Sequence, residues 1–133
     1  MRIMIVEDNF IAREMLQEFC DLLGHEVVAI AEDLAGALAA YRQHRPDVVT
    51  IDLSLPKEDG LTILKALRQA DPGARVVIVS GNCQERIRRD CLQAGAVELL
   101  PKPIELSDLQ ACLERVSSHG NNLPRPENHP PAH

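Results

Sequence analysis

Five short, mostly apolar runs, separated by longer stretches of helical periodicity, constrain the fold of this chain more than any other feature. The runs cover residues 3–6, 27–31, 48–51, 76–79 and 97–100, and most of their side chains are β-branched. Most of the runs are continuous rather than alternating, which is the pattern of strands covered on both faces of a parallel sheet. Between them, Ile11, Met15, Leu16, Phe19, Leu22 and Leu23 form a helical stripe, with Asn9 as N-cap and Gly24 as stop. Leu34, Ala37, Leu38 and Tyr41 form the next, closed by Pro46, and Leu61, Leu64 and Leu67 a third, ending at Asp71-Pro72-Gly73. Ile87, Cys91 and Ala94 stop at Gly95, and Leu106, Leu109, Leu113 and Val116 complete the series.

Five strands each followed by a helix predict a single α/β domain, a doubly wound (βα)5 fold of the flavodoxin-like kind. Right-handed crossovers lay helices on both faces of such a sheet. The expected strand order is 2-1-3-4-5, with ligands where strands 1 and 3 diverge. Phe10, Phe19 and Tyr41 are the whole aromatic set, so the core must be aliphatic. The domain is expected to span residues 1–116. Residues 117–133 hold four of nine prolines, three of five histidines and little large apolar surface, so a disordered tail is expected there.

The net charge of −6 argues against a nucleic-acid backbone as partner, since that needs a basic face. No apolar run approaches the ~18 residues of a membrane span, and Met1 leads directly into a strand rather than a leader, so a cytoplasmic location is expected. Cys20, Cys83, Cys91 and Cys112 form no C-x-x-C pair and are expected to be reduced thiols, mostly packed against helices.

The chemistry lies just beyond the strands. Strand 1 ends in Glu7-Asp8, strand 3 in Asp52, strand 4 in Ser80, and strand 5 in Pro101-Lys102-Pro103. In a parallel sheet these ends meet at one edge, bringing three carboxylates, a hydroxyl and one ammonium to one crevice. Taken singly, each has a plain role as helix cap, turn residue or solvated charge. Taken together, Glu7, Asp8 and Asp52 against Lys102 leave a formal charge near −2, which calls for a cation. Hard carboxylate oxygens suit Mg²⁺ better than Zn²⁺. Mg²⁺ with a lysine can neutralise a transferring phosphoryl group, and aspartate can accept one covalently.

These residues resemble the receiver domain of bacterial two-component response regulators, in the manner of single-domain chemotaxis regulators, across residues 1–116. The matching pieces are Val6-Glu7-Asp8-Asn9, Asp52-Leu53-Ser54-Leu55-Pro56 leading to Asp59-Gly60, Val79-Ser80-Gly81, and Lys102-Pro103. The resemblance implies that Asp52 is the phosphoacceptor. It implies that Asp8, Asp52 and the Ser54 backbone carbonyl ligate Mg²⁺, with Glu7 acting through water. Ser80 and Lys102 would bind the phosphoryl group, and the Lys102–Pro103 peptide would be cis. Phosphate would come from a histidine kinase or a histidine phosphotransfer protein. The output would pass to an unknown downstream protein, from a monomer or weak dimer, with no nucleic acid or membrane involved. Catalysis would be confined to the protein's own phosphorylation and dephosphorylation.

One departure stands out. The family usually carries Tyr or Phe three residues before the strand-5 lysine, and here that position is Leu99. An aromatic side-chain flip is therefore not expected, and movement of the loop after Ser80 is expected instead. Glu85, Arg86, Arg88, Arg89 and Asp90 are read either as a solvated helix face or as part of a partner surface on helix 4, strand 5 and helix 5. A phosphatase with an aspartate nucleophile would carry Asp-x-Asp after strand 1, where this chain has Glu7-Asp8. An FMN module would have a Ser/Thr/Gly-rich loop there.

Overall fold

A computed structural model describes residues 1–122, with side chains as far as Ser118. The chain alternates strand and helix throughout: β1 (Arg2–Val6), α1 (Phe10–Leu22), β2 (Glu26–Ala31), α2 (Leu34–His44), β3 (Val48–Asp52), α3 (Gly60–Ala70), β4 (Val76–Ser80), α4 (Glu85–Gln93), β5 (Glu98–Pro101) and α5 (Leu106–Asn122). All four strand pairings are parallel, and the order is β2-β1-β3-β4-β5 as expected. Helix α5 runs past Val116, to Asn122. The tail expected from 117 thus begins within this helix, and residues 123–133 lie outside the described residues.

Two aliphatic layers sandwich the sheet. On one face Met4, Val6, Val49, Ile51, Val76 and Ile78 pack against α2, α3 and α4. On the other, Ile3, Ile5, Val48, Val77 and Val79 pack against α1 and α5. Because successive side chains of a strand point to opposite faces, β1, β3 and β4 need apolar residues at nearly every position, which explains their continuous runs. Every residue of β3 and β4 is buried. Strand β2 departs from that expectation: it is an edge strand, only Ala31 is fully buried, and Ile30 remains 39% exposed.

Helix α1 corrects the sequence reading. Asn9 caps it as expected, its Oδ1 accepting from the Ala12 N–H at 2.9 Å, and Gly24 follows at φ +83°. Of the six-residue apolar stripe, however, only Leu16 is fully buried, joined by Cys20. Ile11, Met15 and Leu22 face outward instead, with Ile11 75% exposed. Six large apolar residues over little more than three turns exceed the width of one buried face. The sheet beneath has room for the face that carries Leu16 and Cys20.

All four cysteines are free thiols. Cys20, Cys91 and Cys112 are buried, and Cys83 is exposed in the loop before α4. Burial pushes the Cys20 thiol up to about 11 and the Cys112 thiol to about 12, so both serve as packing groups. No helix among the described residues is long and apolar enough to cross a membrane.

The Thr50 hydroxyl is the one buried side-chain polar atom without a hydrogen-bond partner among the described residues. Its β-branched frame suits the strand, but its oxygen is desolvated for no return. Thr50→Val should therefore raise stability by about 1 kcal/mol, read as a higher urea midpoint at an unchanged slope. A lower midpoint would mean that the hydroxyl contributes to the fold.

Candidate functional site

The C-terminal edge of the sheet gathers the side chains that the sequence pattern singled out. Asp52 is the last residue of β3 and Ser80 the last of β4, while Glu7 and Lys102 each sit one residue beyond β1 and β5. Backbone hydrogen bonds extend the ladder just far enough to hold them. Glu7 N–H donates to Ala31 O at 2.9 Å, Leu53 N–H to Val79 O at 2.9 Å, and Lys102 N–H to Ser80 O at 2.9 Å. The Lys102–Pro103 peptide is cis.

Glu7, Asp8 and Asp52 each present a carboxylate oxygen, and these oxygens lie within 4.8 Å of one another. Glu7 and Asp52 are buried, whereas Asp8 is exposed. Lys102 Nζ lies 3.4 Å from Glu7 Oε1 and 3.3 Å from Asp52 Oδ2, so one ammonium is shared by two buried carboxylates. Burial raises the Glu7 pKa above its ordinary value, and the charge of Asp52 pushes in the same direction. The Asn9 N–H, donating at 3.2 Å, and Lys102 pull against them without prevailing. Three hard oxygen donors with too little positive charge between them are a fit for Mg²⁺. The exposed Asp8 leaves a solvent side on which such an ion would keep its waters.

Around the carboxylates the loops are closely set. Ser54 N–H donates to Asp52 Oδ1 at 3.1 Å, and Ser54 also pairs with Asp59 across a single antiparallel bridge. Gly60 sits against the same strand end, where an added Cβ would stand only 2.4 Å from Asp52 O. The Asp-Gly pair after β3 therefore reports a backbone approach that no other residue tolerates. The Ser80 hydroxyl is occupied: Asn82 N–H donates to Ser80 Oγ at 3.0 Å, and Ser80 Oγ lies 2.9 Å from Asn82 O. Leu99 pairs in register with Ile78 and packs among Ile78, Cys91 and Ala96 in the layer under α2, α3 and α4.

Two features escaped the sequence reading. Beside the carboxylates a cleft of about 370 Å³ opens along α1, lined by Ile11, Met15, Leu16 and Ile104 together with Glu7 and Lys102. The excess width of the α1 stripe was the available signal. The second is a pair of contacts between the loop after β3 and the start of α2, made by Lys57 and Glu58. Nothing local in the sequence announces it, because residues 33 and 57 meet only through the crossover.

Comparison with known proteins gives a consistent picture. A model of the "Response regulator receiver domain" family matches residues 3–114. The chemotaxis protein CheY of Bacillus subtilis is 40% identical over 104 residues, covering 78% of this chain and 87% of its own. Among solved structures, a LuxR-family two-component response regulator from Aurantimonas superposes with a TM-score of 0.84 at 31% identity, over 89% of this chain and 85% of its own. The CheX–CheY–BeF3–Mg+2 complex from Borrelia burgdorferi gives 0.80 at 31% identity, over 89% and 87%.

The raised pKa of Glu7 has a measurable sign. The folded state holds the Glu7 proton more tightly than the unfolded chain does, whose ordinary value is 4.5. The stability this contributes is fully present below that ordinary value and is lost as pH rises through the raised one. In metal-free buffer Glu7→Gln should therefore melt above wild type at neutral pH, with the gain shrinking as pH falls. A gain that grows on acidification would show that burial does not raise this group.

Proposed function

Because this chain belongs to the response regulator receiver family of two-component systems, we propose that it accepts a phosphoryl group on Asp52 with Mg²⁺ bound, and signals by a change of shape. The observation that carries this is the sharing of Lys102 between Glu7 and Asp52, with Asp8 at the open side. Asp8, Asp52 and the Ser54 carbonyl would hold the ion, with Glu7 reaching it through water. When bound, Mg²⁺ supplies neutralisation of the phosphoryl oxygens. Asp52 attacks the phosphorus of a phosphohistidine donor, a P–O bond forms as the P–N bond breaks, and the leaving imidazole takes up a proton. Lys102 then exchanges its carboxylate contact for a phosphoryl oxygen. The histidine belongs to a kinase or a phosphotransfer protein, and the apolar α1 cleft, which Glu7 and Lys102 also line, offers such a protein contact area beside the acceptor. A structural neighbour described with BeF3 and Mg+2 supports the reading.

The acceptor is tested by mass spectrometry after acetyl phosphate and Mg²⁺. Wild type should gain one labile phosphate and Asp52→Asn none. Undiminished labelling of Asp52→Asn would refute the assignment.

The change of shape follows from Ser80 and Leu99. A phosphoryl dianion draws a nearby hydroxyl strongly. Ser80 must then give up its contacts with the Asn82 backbone, moving the loop before α4. Leu99 is already inside the core at 6% exposure, with no hydroxyl to signal with. Output therefore leaves as backbone movement toward α4, whose Arg86, Arg88 and Arg89 are exposed and would form part of a partner surface on α4, β5 and α5. Amide NMR shifts with a phosphoryl mimic should be largely lost in Ser80→Ala and largely kept in Leu99→Ala. The reverse pattern would overturn this account of the switch.

A further inference from the structure

The loop that follows Asp52 is tied to a helix that takes no other part in the site. Helix α2 begins at Leu34 with its N-cap Asp33, whose Oδ1 accepts from the Gly36 N–H at 2.9 Å. That leaves the Leu34 N–H, one of the donors a helix start cannot satisfy internally. Its partner is Glu58, half-buried in the loop between β3 and α3, whose Oε1 accepts from Leu34 N. The neighbouring residue doubles the tie, with Lys57 Nζ 3.3 Å from Asp33 Oδ2. Residues 57 and 58 therefore grip residues 33 and 34 across the crossover.

The two ties differ in weight. Lys57–Asp33 is an exposed ion pair, of a kind that contributes little. Glu58 instead places a carboxylate on a backbone donor at the positive end of a helix, where the hydrogen bond and the macrodipole act together. What this holds is a short closed loop: Ser54 and Asp59 pair across its neck, Leu55 is buried in the core, and Gly60 N–H donates to Leu53 O at 2.9 Å. Ser54, whose carbonyl is assigned to the metal above, sits at that neck, and Glu58 lies four residues on.

We propose that Glu58 is a positioning residue for the metal site: by docking on the start of α2 it sets the loop that aims the Ser54 carbonyl. Glu58 does not itself ligate the ion. The inference rests on the Mg²⁺ reading of Glu7, Asp8 and Asp52, and it adds a consequence, since a coupling between two places is reciprocal. Mg²⁺ binding tightens the Glu58–Leu34 contact, so the start of α2 registers the state of the acidic site from outside it.

The test is Mg²⁺ titration by calorimetry on the full chain, with hydrogen exchange at the Leu34 amide. Glu58→Ala should weaken Mg²⁺ binding about fivefold, below the ~10-fold or more that loss of a contact made directly to a ligand brings. Glu58→Gln, which still presents an oxygen to Leu34 N–H, should stay within about twofold of wild type. Mg²⁺ should slow exchange at Leu34 in wild type and Glu58→Gln but not in Glu58→Ala. If Glu58→Gln were as weak as Glu58→Ala, the hydrogen bond to Leu34 N–H would not be what positions the loop, and the proposal would be overturned. It would be overturned equally if neither variant changed the affinity. Asp8→Asn separates the two levels: loss of binding there with unaffected Glu58 variants refutes only this inference, whereas unchanged binding in Asp8→Asn refutes the metal site beneath it.

Discussion

A single ammonium group stands between two buried carboxylates, and the rest of the site is arranged around that shortage of positive charge. Lys102 reaches Glu7 and Asp52 at nearly equal distances, with Asp8 close by in solvent. Charges held this way repel one another in a poorly solvated place, where hydration no longer offsets the cost. Burial above all, and then the charge of Asp52, raise the proton affinity of Glu7. A divalent cation would relieve the repulsion, and in the proposed reaction a phosphoryl group would bring back negative charge for the cation and Lys102 to share.

Such a cluster survives only on a rigid base. Strands β1, β3 and β4 provide it, because nearly all of their side chains are buried in one of two aliphatic layers and their ends are fixed by parallel pairing. With no aromatic ring in the sheet, the layers rely on close-packed Ile, Val and Leu, which tolerate little displacement. Polar contacts cluster at and just after the strand ends: Ser80 in its turn with Asn82, and the loop from Ser54 to Asp59. In the proposed function these contacts are the ones a phosphoryl group would exchange.

Much of this was legible in the residues themselves. Continuous β-branched runs announced strands covered on both faces, and helical stripes with their caps announced the crossovers between them. A parallel (βα)5 order then obliged Glu7, Asp8, Asp52, Ser80 and Lys102 to meet at one edge, because every strand of such a sheet ends on the same side. Asn9 marked a helix start, as the structure bears out. Each of these signals is local, or follows from one topological rule.

The tertiary structure decided what local pattern cannot carry. The six-residue apolar stripe at α1 is wider than one buried face, and the sheet covers only the side with Leu16 and Cys20, leaving Ile11 and Met15 along a cleft and Leu22 exposed. Strand β2 read like its neighbours until its place at the edge exposed it. Lys57 and Glu58 carry no local signal of a role, and only the crossover sets them against the start of α2. The sequence by itself determined the elements, their order and the chemistry at their ends, since these depend on residue type and short spacing. Which faces stay open, and which loops hold one another, depends on distances between residues far apart in the chain, and packing alone sets those.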